Sequence, residues 1–196
     1  MSGDFGKAEK KRKVAWGITG SGDRLEETLS VMREIKERYK NEVDIRVFLS
    51  KAGEQVVKWY KLHDQLKQNF DRIWVELNSN SPFLAGDLEL RKYEFLLIAP
   101  STSNTVAKIA AGISDTMLCN SAIMALKASV PVYIMPSDYK EGTVVTRLPN
   151  GRDFPLRVRR EDAENTRKLA SMDCVFVLEK PEGFHQVFTK HFGPRE

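Results

Sequence analysis

The sequence predicts a three-layer α/β fold built on a doubly wound, mostly parallel sheet. Three observations carry that prediction. Short apolar runs alternate with longer stretches of helical periodicity along the chain, which is the pattern of βαβ units. The first run, Val14 to Ile18, passes through Thr19-Gly20-Ser21-Gly22 into an amphipathic stretch, the opening unit of such a sheet. A later run, Phe95 to Ala99, stops at Pro100 and leads through Ser101-Thr102-Ser103-Asn104-Thr105 into another helix. The first turn of a helix has unpaired N–H groups and the positive end of the helix dipole, so hydroxyls and an amide there suit an anion or a cofactor. Capping needs one such residue; a run of them exceeds it.

Residues 1–13 are polar and basic and read as a tail, with 14–196 as a single domain. After the first strand and its turn, Leu25, Leu29, Met32, Ile35 and Tyr39 share one helical face. Val43, Ile45, Val47 and Leu49 alternate as a second strand ending at Ser50-Lys51-Ala52-Gly53. A second helix carries Val56, Val57, Tyr60, Leu66 and Phe70 as its contacts, and His63 within it reads as a surface or packing residue. Ile73 to Leu77 is a short third strand, Asn78 to Pro82 a polar loop, and Phe83 to Arg91 a short helix or turn.

Beyond the Phe95 strand and its helix, Thr116 to Ser129 is helical and Val130 to Met135 is a buried strand stopped by Pro136. The pattern then changes. Thr143 to Leu148 and Phe154 to Val158 flank Pro149-Asn150-Gly151-Arg152-Asp153, and Asn-Gly tolerates the positive φ of a hairpin turn. This antiparallel excursion, near 143–158, reads as a flap or a subunit contact. Glu161 to Met172 is a helix, Cys174 to Leu178 a last strand, and Gly183 to Phe192 a terminal helix, with His185 and His191 in it.

Composition narrows the function classes. The chain has 196 residues, 41% hydrophobic and 30% charged, with a net charge of +4, ordinary for a globular domain. No apolar run nears the roughly 20 residues of a membrane span, and the start of the chain has no apolar signal segment; a cytoplasmic protein is expected. The basic runs Lys10-Lys11-Arg12-Lys13 and Arg157-Val158-Arg159-Arg160 lack interleaved aromatics, so they read as solvated rather than as a nucleic-acid surface. Cys119 and Cys174 are too few for an iron–sulfur cluster and wrongly spaced for zinc; they read as reduced, buried thiols, and no metal is expected. Any redox chemistry must then come from a bound organic cofactor.

In a right-handed doubly wound sheet the ends of strands one, two and four meet at one edge. Thr19-Gly20-Ser21-Gly22, Ser50 and Ser101 to Thr105 therefore form a polar cradle with no charged nucleophile. Asp23 beside the turn would repel a phosphate, so part of any phosphate is held elsewhere.

Gly17-Ile18-Thr19-Gly20-Ser21, Ser50-Lys51-Ala52 and the long stretch A-P-S-T-S-N-T-V-A-K-I-A-A-G-I-S-D, Ala99 to Asp115, resemble the FMN-binding flavoprotein superfamily. Phosphopantothenoylcysteine decarboxylases, lantibiotic cysteine decarboxylases and prenyl-FMN synthases belong to it. The resemblance runs from Val14 to Asp138. It implies that Gly20, Ser21, Gly22, Ser50, Thr102, Ser103, Asn104 and Thr105 contact FMN, with Thr19 and Ser101 completing the cradle. It also implies a homo-oligomer, a trimer or a dodecamer of trimers.

Two departures separate the chain from the decarboxylases. Their H-I-E-L-R, with a catalytic His, is matched by Asp87-Leu88-Glu89-Leu90-Arg91, and their P-A-M-N by Pro136-Ser137-Asp138-Tyr139. Tyr139 stands where their Asn grips the substrate carboxylate, and Asp138 next to it would repel that carboxylate, so cysteine decarboxylation is disfavoured. The arrangement is most similar to archaeoflavoproteins and dihydromethanopterin reductases. That resemblance implies an FMN-dependent oxidoreductase taking electrons from ferredoxin or another low-potential donor and passing them to an acceptor such as a dihydropterin. Asp87 or Asp138 would serve as a proton shuttle, Asp87 being equally readable as a helix N-cap. A pterin needs a second aromatic-sized slot, which Tyr139, the hairpin or Trp16 would line, Trp16 being better explained as core. The alternatives are a prenyl-FMN synthase-like enzyme using Arg157, Arg159 and Arg160, and a non-catalytic flavin carrier.

Overall fold

The computed structural model describes residues 11–195. Strand β1 (Arg12–Ile18) is followed by α1 (Leu25–Arg38), β2 (Val43–Leu49), α2 (Lys51–Trp59), α3 (His63–Asn69) and β3 (Ile73–Val75). Then come α4 (Leu84–Glu89), β4 (Leu96–Ser101), α5 (Ser103–Ala110), α6 (Met117–Lys127) and β5 (Val132–Pro136). The hairpin β6 (Gly142–Arg147) and β7 (Asp153–Val158) precedes α7 (Arg160–Ala170), β8 (Val175–Val177) and α8 (Gly183–Phe192).

The main sheet has the order β3-β2-β1-β4-β5-β8 and every pairing in it is parallel. The chain winds outward one way from β1 and the other way from β4, so the switch point lies between these two central strands. Strand β4 is fully buried, and its alternation divides the core. Phe95, Leu97 and Ala99 join Trp16, Met32 and Phe188 under α1 and α8, whereas Leu96 and Ile98 join Leu118, Ala122 and Ile109 on the opposite face. Each large side chain so buried contributes about 1.5–3 kcal/mol. Trp16 is completely buried, with its indole N–H donating to the Ala99 carbonyl at 2.8 Å, so it belongs to the core and lines no second slot.

Several boundaries differ from the sequence expectations. The basic residues Arg12 and Lys13 lie in β1 rather than in a tail, and Arg12 pairs with Glu94 at 2.6 Å; Lys11 is exposed just ahead of the strand, and residues 1–10 of the expected tail lie outside the described residues. The expected second helix is two helices, broken at Lys61, which has φ 58°. The break turns the chain so that Leu62, Leu66 and Phe70 stay buried, and the apolar spacing carries on across it, which is why periodicity alone shows one helix. Strand β3 ends at Val75, two residues early, because Glu76 turns inward to the starts of two helices. The hairpin strands begin one residue earlier than expected on each side. Cys119 is buried as expected, but Cys174 is only half-buried, at φ 61° in the turn into β8. Among the described residues, no helix is long and apolar enough to cross a membrane.

Candidate functional site

The C-terminal ends of β1, β2 and β4 are stitched together by their own polar atoms. The Thr19 N–H and hydroxyl both donate to the Pro100 carbonyl, at 3.2 and 2.9 Å, and the Thr19 hydroxyl accepts from the Thr102 N–H at 2.9 Å. The Ser50 N–H donates to the Ile18 carbonyl at 3.0 Å. The Ser21 hydroxyl reaches Ser137 Oγ, beyond β5, at 2.5 Å. The expected cradle therefore exists as one continuous edge of the sheet, at the switch point where doubly wound folds hold their ligands.

Much of its polar capacity is used internally. Thr102 caps α5, its hydroxyl accepting from the Thr105 N–H at 3.3 Å and lying 3.1 Å from Thr105 Oγ1. Ser50 caps α2 through the Gly53 N–H at 2.9 Å. A Cβ on Gly20 would sit 2.7 Å from the Ala52 Cβ, and one on Gly22 would run into the Tyr60 ring. Gly20 is thus demanded by the packing of α2 against the turn, whereas a side chain at Gly22 would have to displace the Tyr60 ring.

What is left over is more informative. Ser101 Oγ is completely buried without a hydrogen-bond partner, a state costing about 1–3 kcal/mol unless a partner is supplied. Asn104 is exposed, and among the described residues neither its side chain nor the N–H groups of Ser103 and Asn104 make a hydrogen bond. The orphan hydroxyl at the end of β4, with the free amide and two free N–H groups on the first turn of α5, forms an unfilled donor set for an anionic or carbonyl-bearing group.

The two candidate proton carriers part company. Asp138 is brought to the cradle: its carboxylate accepts from the Ser103 hydroxyl on the first turn of α5, and its carbonyl accepts from Thr166 Oγ1 at 3.2 Å. Asp87 is not brought there within one chain. It sits inside α4 rather than at its N-cap, and it holds Lys92 by side chain (2.8 Å) and backbone (2.9 Å), just ahead of β4 at the opposite edge of the sheet.

One residue of the site escaped the sequence reading. Glu76 is buried, and its two carboxylate oxygens accept from the first N–H of α2 (Lys51, 3.2 Å) and of α6 (Met117, 2.8 Å). A carboxylate bridging two helix N-termini is favoured by both dipoles. It sets the start of α2, and with it the position of Ser50. Its only trace in the sequence is an acid closing an apolar run.

A cleft of about 770 Å³ opens beside the cradle. One wall is Gly22 to Glu27 of the first turn and α1; the other is the hairpin, from Val144 to Leu148; Pro136, Ser137 and Tyr139 lie between them. The hairpin is held over it by the Tyr60 hydroxyl, which donates to the Arg147 carbonyl at 2.9 Å. Burial, with Asp23 and Glu26 nearby, raises the Tyr60 pKa. A hydrogen bond to Glu179 does the same for Tyr139, so both tyrosines remain hydroxyl donors at neutral pH. Asp23 is half-buried in the cleft wall, and its pKa is raised chiefly by burial, with Arg24 opposing and Glu27 and Asp138 adding to the rise.

A match to the Flavoprotein family model extends over residues 4–186. The chain belongs to the Flavoprotein family. It is 49% identical to an uncharacterized protein of Methanocaldococcus jannaschii, over 91% of this chain and 95% of that one. It is 31% identical to the dihydromethanopterin reductase (acceptor) of the same organism, over 86% and 92% of the two chains. Among solved structures, Burkholderia xenovorans DmrB in complex with FMN, described as a cubic protein cage for redox transfer, superposes with a TM-score of 0.76 at 30% identity, covering 93% of this chain and 96% of that one.

Proposed function

We propose that this chain is an FMN-dependent oxidoreductase that passes electrons from a low-potential donor such as ferredoxin to an oxidised acceptor of the dihydropterin class. The observation carrying this reading is the unfilled donor set at the end of β4 and the first turn of α5, at the switch point of a flavoprotein fold. Ser101, left without a partner in the protein, together with Asn104 and the N–H groups of Ser103 and Asn104, fits an FMN phosphate or ring carbonyl. Bound FMN would supply the electron chemistry, accepting and passing on electrons singly or in pairs. The chain's own part is to hold and orient that group, to shield it with the hairpin, and to keep a carboxyl, Asp138, within reach as a proton carrier.

Relatives named dihydromethanopterin reductase support the pterin acceptor, and the cage named for DmrB supports assembly into a closed homo-oligomer. The prenyl-transfer alternative draws no support: Arg159 pairs with Asp162 at 2.7 Å and Arg160 with Glu164 at 2.7 Å, leaving Arg157 from the expected phosphate-binding cluster. The test is anaerobic reduction of the purified, FMN-loaded protein by reduced ferredoxin, followed by addition of a dihydropterin. Bleaching of the flavin bands by the donor and their return on adding the acceptor, faster than for free FMN, supports the reading. Bands that return no faster than those of free FMN leave a flavin carrier.

A further inference from the structure

The carboxylate of Asp23 has no role in the cradle, yet it stands in the wall of the cleft beside it. Its own N–H is used, donating to Ser21 Oγ at 3.2 Å, which fixes the backbone there. Its side chain makes no hydrogen bond among the described residues. The adjacent guanidinium is turned elsewhere: Arg24, at φ 51°, donates to the Glu179 carbonyl at 3.1 Å. Burial, chiefly, disfavours charge on Asp23; the Arg24 charge opposes this, and the carboxylates of Glu27 and Asp138 add to it. A half-buried carboxylate without a donor is costly to keep, and what would satisfy it is a ligand presenting paired N–H groups, since a carboxylate accepts two parallel N–H bonds better than one.

We infer that Asp23 recognises the amidine-like edge of the acceptor, the 2-amino group and adjacent ring N–H of a pterin, within the cleft between the first turn and the hairpin. The inference rests on the oxidoreductase reading above and names the part of the acceptor that reading leaves open. The flanking groups agree with a flat heterocycle: Tyr60 and Tyr139 border the cleft as aromatic rings, and Val144 and Leu148 bring apolar surface from the hairpin. A site built around a hydrogen bond to a substrate N–H rejects the analogue that lacks it far more strongly than an apolar slot rejects a change of size. Lumazine is that analogue, with a carbonyl in place of the pterin 2-amino group, and the carbonyl would face the Asp23 carboxylate.

The experiment titrates the FMN-loaded protein with pterin and with lumazine, following binding by calorimetry, in the natural protein and in Asp23→Asn and Asp23→Ala. The natural protein should prefer pterin by about tenfold or more, and both variants should lose that preference through weaker pterin binding while lumazine affinity holds or rises and the flavin spectrum is unchanged, as expected for one charge-assisted pair. Equal affinity for the two ligands in the natural protein overturns the assignment, as does a preference that survives in the variants, or equal loss of both ligands. In those cases the oxidoreductase reading stands. Binding of neither ligand by the natural protein overturns the assignment together with the pterin acceptor.

Discussion

At the scale of single residues, the cradle separates side chains that hold the protein together from those available to a ligand. Thr19, Ser50 and Thr102 have hydroxyls engaged with backbone groups of neighbouring strands and helices, so replacing them damages the frame first. Asn104 is the opposite case, exposed and unengaged on the first turn of α5. Asn104→Leu should leave the unfolding free energy in urea within about 0.5 kcal/mol of the natural protein, as surface changes away from special features do, while flavin is lost on gel filtration. A variant that stays yellow would remove Asn104 from the site. Ser101 stands between the two: buried like the core, but with an oxygen that nothing in the protein satisfies.

At the scale of elements, the site depends on where helices begin. Glu76 ties the first N–H of α2 to that of α6. Glu76→Gln keeps the shape but turns an amide NH2 toward an N–H donor and removes the charge from two helix N-termini. A loss of about 2–3 kcal/mol in urea unfolding is expected, with weaker flavin retention because Ser50 moves with α2. A stability unchanged from the natural protein would show that the bridge is incidental. On the far side of the hairpin, α7 starts with Arg159 forked onto the buried carboxylate of Asp162 at 2.7 and 2.8 Å, and that hydrogen bonding holds the Asp162 pKa below its ordinary value. A depressed carboxyl stabilises the fold above the ordinary aspartate range, and the contribution disappears as pH falls through the folded pKa. Asp162→Asn should therefore cost about 1 kcal/mol at neutral pH and converge on the natural protein in acid. Parallel pH–stability curves would contradict this account of the pair.

At the scale of the whole molecule, Leu77, Phe83 and Leu90 stand 69%, 65% and 63% exposed on the stretch around α4, and their clustering in the sequence makes this stretch the candidate subunit contact. In a closed oligomer such residues are covered. We expect light scattering to give a multiple of the 22.3 kDa chain, and Leu77→Ser combined with Leu90→Ser to shift it toward smaller species; an unchanged mass would place the contact elsewhere. The sequence by itself determined the parallel α/β layout, because strands buried on both faces must be continuously apolar and their helices amphipathic. It also determined the place of the cradle, because the Ser101 to Thr105 run follows a strand at a helix start. It did not determine which of those polar residues remain free: that depends on partners far along the chain, Pro100 for Thr19, Asp138 for Ser103, Tyr60 for the space at Gly22. Only the tertiary structure decided that Asp138 reaches the cradle while Asp87 turns to Lys92. The same holds for Glu76, drawn in to join two helices, and for the break in the helix after Trp59. Periodicity records which face of a segment is apolar, whereas these outcomes are set by contacts between residues that only folding brings within hydrogen-bonding distance.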